Sequence, residues 1–400
     1  MVKSLSRTTN LDTLSLSPWH VFYKNRDWMV EYDNKFYINP GLPEARQHIV
    51  QVVEEMIRKY DLDGIHLDDY FYPYPVKGKV FADSAAYQQY GEPYGSLGDW
   101  RRNNNNQLIE ALAIAVKEKK PYIKFGVSPF GVWRNKEDDP LGSNTRAGVK
   151  SYDDLYADVL SWLQKGWLDY VAPQLYFNVG YPPADYAELL NWWRTHCYDR
   201  NLLIGHAAYK VGDNPVEAWQ NAGEIPKQIR MNRAVSDVDG SVFFSTKSLL
   251  NNPLGVTDSL ENYYYKYPAL VPSLVQDEMQ PVTPKLKKVK GKPEGVLVKW
   301  KLNKPAATKG FGLLPPDRYI IYRFAQEGSN DMNDPSNILA ITDYSGVQKS
   351  YLDTTAEDEG IYAYAITAVN RFNNEGRLSN KILVRKNLAR VKKIKYESCG

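Results

Sequence analysis

The sequence predicts an α/β protein: a parallel (β/α)8-type barrel, incomplete at its N-terminal side, over residues 1–275, then an all-β sandwich over residues 276–400. Three observations carry this reading. Helical and strand patterns alternate five times through the first 270 residues, which implies crossover connections and a parallel sheet. Polar side chains gather at the C-terminal ends of four of the five strands, as they do when each contributes to one site at the top of a barrel; an open doubly wound sheet would concentrate them at one switch point. Past residue 270 the helical period stops and short alternating segments take over.

Element by element, residues 42–60 form the first helix, with Ile49, Val52, Val53, Met56, Ile57 and Tyr60 at helical spacing behind Pro43, which suits a first-turn position. The strand Asp63-Gly64-Ile65-His66-Leu67-Asp68-Asp69-Tyr70 follows, alternating apolar and polar residues and ending in carboxylates. Helix 97–118 leads to strand 123–128, helix 151–165 to strand 170–176, helix 183–196 to strand 202–208, helix 215–233 to strand 240–245, and a last helix near 257–267 closes the series. A complete TIM-type barrel needs eight such units. Residues 1–41 show no further unit, so the barrel is expected to lack about three at its N-terminal side.

Pro272, Pro281 and Pro284 then punctuate the chain ahead of a basic run from Lys285 to Lys292. Beyond them Val296, Val298 and Trp300 alternate, followed by Arg318 to Phe324 and by Tyr362, Tyr364, Ile366 and Ala368. This is the pattern of an antiparallel sandwich. With Trp300 on an early strand and Tyr362-x-Tyr364 on a late one, residues 283–386 resemble a fibronectin type III module, which implies an accessory role.

Composition bounds the function. Lysine plus arginine numbers 50 against 47 acidic residues, a net charge of +3, too balanced to serve as a footprint for nucleic acid. The five histidines include no pair at metal-ligand spacing, so neither a metal site nor another cofactor is expected. Cys197 and Cys399 lie far apart and suggest no disulfide framework. There is no signal-peptide pattern at the start and no stretch long enough to span a bilayer. The 30 Tyr and 10 Trp against 12 Phe give most rings a polar handle, the need of a half-wet groove.

The chemistry is expected at residues 61–75. Aspartate is seldom buried unless paired, so Asp68 and Asp69 at a strand end, running into Tyr70, Phe71, Tyr72 and Tyr74, point to a site. If Ile65 and Leu67 face the helices, His66 and Asp68 point into the barrel while Asp69 begins the loop, which makes Asp68 the better catalytic candidate. A carboxylate pair with flat rings on a barrel rim matches what glycosidic hydrolysis requires.

Four segments sharpen this: Tyr37-Ile38-Asn39-Pro40-Gly41-Leu42-Pro43; Asp63 through Pro73; Val127-Ser128-Pro129-Phe130-Gly131-Val132-Trp133-Arg134-Asn135; and Asp169-Tyr170-Val171-Ala172-Pro173-Gln174-Leu175-Tyr176. Together, over residues 18–268, the chain resembles the glycosyl hydrolase-like family 10. The resemblance implies a glycosidase-type barrel of the bacterial cell envelope or a secreted one, often with a fibronectin-like module, acting on cell-wall glycan, especially peptidoglycan strands, or a related polysaccharide. It also implies that further βα units stand ahead of the Tyr37 motif in full members, so this chain is expected to be a fragment.

Gly64-x-x-x-Asp68 is also similar to the fourth-strand pattern of the α-amylase superfamily, with His66 where that pattern has arginine and Ser128-Pro129 where its acid would follow. The general acid therefore stays open among Asp69, Glu137, Asp138, Asp139 and a residue outside this chain. Expected sugar contacts are His66, Tyr70, Tyr72, Ser128, Trp133, Arg134, Asn135, Gln174, Tyr176 and His206. Three of these have plain structural alternatives: Arg134 and Asn135 can pin their own loop, and His206 can be a satisfied core histidine. Trp192 and Trp193 read as packing, and Asn103 to Asn106 as a solvated helix face. The competing functional reading is a non-catalytic carbohydrate-binding or scaffolding barrel; a second carboxylate within about 5 to 10 Å of Asp68 would favour hydrolysis. A metal-dependent deacetylase would need converging His and Asp ligands.

Overall fold

The computed structural model describes residues 16–273, 281–302, 315–325, 331–343, 346, 348–387 and 390–393. The chain divides into two compact units, Met1–Tyr264 and Tyr265–Gly400.

The first unit opens with a hairpin absent from the sequence reading: β1 (Met29–Tyr32) pairs antiparallel with β2 (Lys35–Ile38). Its two turn residues, Asp33 and Asn34, both take positive φ, 51° and 56°. Two-residue hairpin loops demand that conformation, and Asp and Asn tolerate it. Four-residue strands are too short for periodicity to reveal.

Five parallel strands follow: β3 (Gly64–Leu67), β4 (Lys124–Val127), β5 (Tyr170–Val171), β6 (Asn201–His206) and β7 (Gly240–Phe243). They lie side by side in chain order without reversal, so each crossover steps the same way and the sheet curls into a half-barrel. A doubly wound sheet would reverse direction. Among the described residues this is a five-strand arc rather than a closed ring of eight. The expected strand 170–176 is regular for only two residues, because Pro173 has no N–H to give the ladder. Gln174 rejoins it through isolated bridges to Phe130 and Gly205.

Helices cover the outer face. In the helix Pro43–Lys59 the buried stripe is Ile49, Val50, Val53 and Ile57, while Val52, Met56 and Tyr60 are exposed. The stripe joins Leu108, Ile109, Leu112 and Val116 of the helix Leu97–Lys119 in one core with Ile65, Leu67, Phe125 and Val127. The expected helix 151–165 is two, Ser151–Asp154 and Val159–Gln164, broken where Tyr156 takes positive φ. The expected helix 215–233 is regular only over Glu224–Arg233.

The asparagine run is not a solvated face. Asn104 and Asn105 are buried: Asn104 donates to the Tyr72 hydroxyl (3.3 Å) and Asn105 to the Tyr156 carbonyl (2.8 Å), while Asn106 accepts from Trp162 Nε1 (2.6 Å). Beside them Arg101 meets Asp83 through two hydrogen bonds, 2.6 and 2.8 Å, with both side chains almost fully buried. These latches hold the long segment that follows β3. No described helix is long and apolar enough to cross a membrane.

The second unit is antiparallel throughout. β8 (Pro284–Lys292), β9 (Gly295–Leu302) and β12 (Ser350–Asp353) form one sheet. β10 (Arg318–Phe324), β11 (Ile338–Ile341), β13 (Ile361–Val369), β14 (Ile382–Asn387) and β15 (Arg390–Lys393) form the other. Val296, Val298 and Trp300 of the first sheet share one core with Tyr319, Ile321, Tyr364 and Ile366 of the second.

Candidate active site

The site grows from the alternation of β3. Ile65 and Leu67 are buried against the helices, which leaves His66 and Asp68 on the inner face of the curl. Asp68, the first residue past the strand, is half-buried, and Asp69 after it is 4% exposed. The backbone then folds back so that the Tyr74 hydroxyl donates to Asp69 Oδ2. The main-chain N–H of Asp69 donates to Asp68 Oδ1 at 3.1 Å.

Gln174 completes the carboxylate's surroundings. Its Nε2 donates to Asp68 Oδ1 (2.9 Å) and to the Ser128 carbonyl (3.0 Å). This approach requires Gly131, since a Cβ there would stand 2.5 Å from the Gln174 carbonyl oxygen.

All five strand ends feed one cleft of about 350 Å³. The segment after β3 supplies Asp68, Asp69, Tyr70 and Tyr74; that after β4 supplies Phe130; β5 is followed by Gln174, Tyr176 and Phe177; β6 by Tyr209 and Lys210; and β7 by Phe244. The rings line the cleft in two runs, Tyr70 edge-on to Tyr74 (5.6 Å between centroids) and Tyr74 to Phe130 (6.2 Å) in one, and Tyr176 edge-on to Tyr209 (5.9 Å) in the other.

Burial pushes the Asp69 carboxyl up to about 6, the neighbouring Asp68 charge adds to the rise, and the Tyr74 hydrogen bond opposes it. Burial, helped by Asp68, likewise raises the Tyr176 phenol, so that ring stays a neutral hydrogen-bonding group.

These residues sit in a segment that a known family recognises. The glycosyl hydrolase-like 10 model matches residues 3–221, more than half of the chain's 400 residues. The chain belongs to the glycosyl hydrolase-like 10 family. It is 43% identical over 374 residues to glycosyl hydrolase YngK of Bacillus subtilis, covering 92% of this chain and 71% of that protein. It is 41% identical over 253 residues to glycosyl hydrolase DigH of Escherichia coli K12, covering 60% of this chain and 56% of that protein, so it spans little more than half of the latter. Among solved structures, chitinase ChiA74 from Bacillus thuringiensis overlaps 89% of the chain at 10% identity and a TM-score of 0.34. Membership of glycosyl hydrolase-like 10 ties the protein to glycosides.

Within this glycosyl hydrolase-like 10 unit, Asp68, Asp69, Tyr70, Gln174 and Tyr176 come together as cleft lining. Other expected site residues stand elsewhere. Tyr72 is buried against Phe81, Tyr156 and Asn104. Ser128 offers Gln174 its main-chain carbonyl. His66 places Nδ1 2.9 Å from the Tyr170 hydroxyl and stacks on that ring.

Trp133 is buried and stacks on Trp192. Arg134 pairs with Asp139 (2.8 Å) and Asp153 (3.0 Å), and Asn135 holds Asp138 and the Ala147 carbonyl, so this stretch pins its own loop. That network also occupies Asp138 and Asp139, while Glu137 is exposed outside the cleft lining. Of the acid candidates within this chain, Asp69 alone shares the cleft with Asp68.

His206 is fully buried, with ring nitrogens on Gln228 Oε1 (2.9 Å), Ser241 Oγ (3.0 Å) and Asn232 (3.2 Å), and burial holds it down to about 4. No three His, Cys, Asp or Glu side chains converge as a metal-ligand set among the described residues. Tyr74, Phe130, Phe177, Tyr209, Lys210 and Phe244 line the cleft without having been singled out as site residues from sequence. A signal for most of them exists: an aromatic residue stands within a few positions of every strand end.

Proposed function

We propose that the protein hydrolyses O-glycosidic bonds of a bacterial cell-wall glycan, peptidoglycan strands foremost, or of a related polysaccharide, in the cell envelope or outside the cell. The observation that carries this reading is the carboxyl pair in one aromatic cleft: Asp68 half-open to the cleft and held by Gln174, and Asp69 retaining its proton up to about pH 6. A carboxyl group that keeps its proton beside a second carboxyl group is what acid-assisted cleavage of an acetal needs. Asp69 is the group that gives its proton to the leaving oxygen, and Asp68 is the carboxyl group that faces the positive charge developing at the anomeric carbon. Gln174 orients Asp68, and Tyr70 and Tyr176 offer rings and hydroxyls to the sugar. The five-strand arc is read as part of a (β/α)8 barrel, and the β-sandwich as a fibronectin III-like module that assists placement.

The test is a screen of the protein against peptide-stripped peptidoglycan and a panel of polysaccharides, with products identified by mass. Shortened chains with new reducing ends are expected from at least one substrate. Binding without cleavage from pH 4 to 8 would leave the carbohydrate-binding barrel as the reading.

A further inference from the structure

The cleft holds one cation that hydrolysis by Asp68 and Asp69 does not employ. Lys210 ends the short turn Ala208–Lys210 behind β6 and lines the same cleft as the two aspartates. Its ammonium donates to the main-chain carbonyl of Tyr176 at 2.6 Å. Among the described residues it forms no ion pair with a carboxylate.

An ammonium carries three N–H donors, so two remain for other acceptors. Rings of Trp219, Tyr209 and Phe177 stand 5.6 to 6.0 Å away and give the charge partial support. Burial lowers its pKa from the ordinary lysine value, the mark of a charge incompletely compensated by its surroundings. The Tyr176 carbonyl takes one of those donors and carries no full negative charge, so a negatively charged ligand is the partner that complements the rest.

We infer that Lys210 is the receptor for a carboxylate carried by the glycan, which makes this a cleft for acidic sugars. The inference rests on the cleft being a glycan site, and it names the substrate class. An anionic sugar entering beside Asp68 and Asp69 meets repulsion, and a cation in the same wall offsets it and fixes which sugar of the chain lies where. The carboxylate comes either from a lactyl ether, as on peptidoglycan strands, or from C6 of a uronic acid.

The test measures binding of the full chain by titration calorimetry to four ligands: peptide-free peptidoglycan strands, polygalacturonate, and the methylamidated form of each. The wild type is expected to bind one carboxylated ligand about tenfold or more tightly than its amide, and the preferred arm identifies the source. Lys210→Met is expected to lose that preference, its affinity for the acid forms falling to that for the amides, and Lys210→Arg to keep it. Equal wild-type affinity for acid and amide forms, or binding to none of the four, overturns the inference without any variant. So does an equal loss for both forms in Lys210→Met, which is what a lysine serving only to pin Tyr176 would give. Reducing ends are assayed in parallel: a carboxylate preference without cleavage keeps Lys210 as receptor and removes the hydrolase reading.

Discussion

Gln174 donates from Nε2 to Asp68 Oδ1 at 2.9 Å, joining residues 106 positions apart at the ends of two strands of one curled sheet. The same nitrogen reaches the Ser128 carbonyl, so one amide ties together the ends of β3, β4 and β5. A hydrogen bond to a carboxylate is charge-assisted and favours its ionised form. Gln174→Met keeps the volume and removes the donor. It is expected to lower kcat/KM by about 100-fold, the usual scale for losing one preorganised polar contact to a reacting group, with little change in denaturation midpoint. Steady-state kinetics beside a urea curve checks both halves.

Activity that needs the proton on Asp69 is fully available below about pH 6 and falls as pH rises through that value. Tyr74 donates to this carboxyl and so holds its pKa down against burial. Tyr74→Phe therefore moves the falling limb of the kcat/KM profile to higher pH. A limb that stays in place or moves to lower pH contradicts the assignment of Asp69 as acid.

Arg101 and Asp83 form a bidentate pair that is nearly dry. Arg101→Met leaves the Asp83 charge buried without its partner, which costs about 3 to 5 kcal/mol. The expected result is a matching loss in the urea transition of the barrel unit, followed by tryptophan fluorescence.

His206 is held neutral by burial, from an ordinary 6.5 down to about 4. Unfolded chains take up its proton near 6.5 and the folded one resists, so its contribution is present above that pH. It is lost as pH falls from 6.5 through about 4, about 3 kcal/mol in all. Asp69 works with the opposite sign, its raised pKa favouring the folded state at low pH. The measurement is therefore the difference between wild type and His206→Gln: their stability gap is expected to shrink steadily between pH 7 and pH 4.

Alternation in β3 and helical spacing from Pro43 to Lys59 are local properties, and the half-barrel was legible from them. The helix stripe was read on the wrong flank of Ile49, Val53 and Ile57: Val50 joins them in the core, while Val52 and Met56 are exposed. The β1–β2 hairpin and the break at Tyr156 depend on positive-φ residues that carry no period. In the site, Asp68, Asp69, Gln174 and Tyr176 were legible because strand direction places them. Trp133, Arg134 and Asn135 misled because nearness to a strand end does not say which way a loop folds; ion pairs to Asp139 and Asp153 decide that. Lys210 offered no pattern at all, since its meaning lies in a cleft built from five separate segments.

The central claim is that Asp68 carries the reaction. The direct measurement is the rate at which wild type and Asp68→Asn release reducing ends from a glycan that the wild type cleaves, with matching circular dichroism spectra to show that both are folded. The account predicts that the variant's rate falls to background while it still binds the glycan. Turnover by Asp68→Asn at the wild-type rate would contradict it.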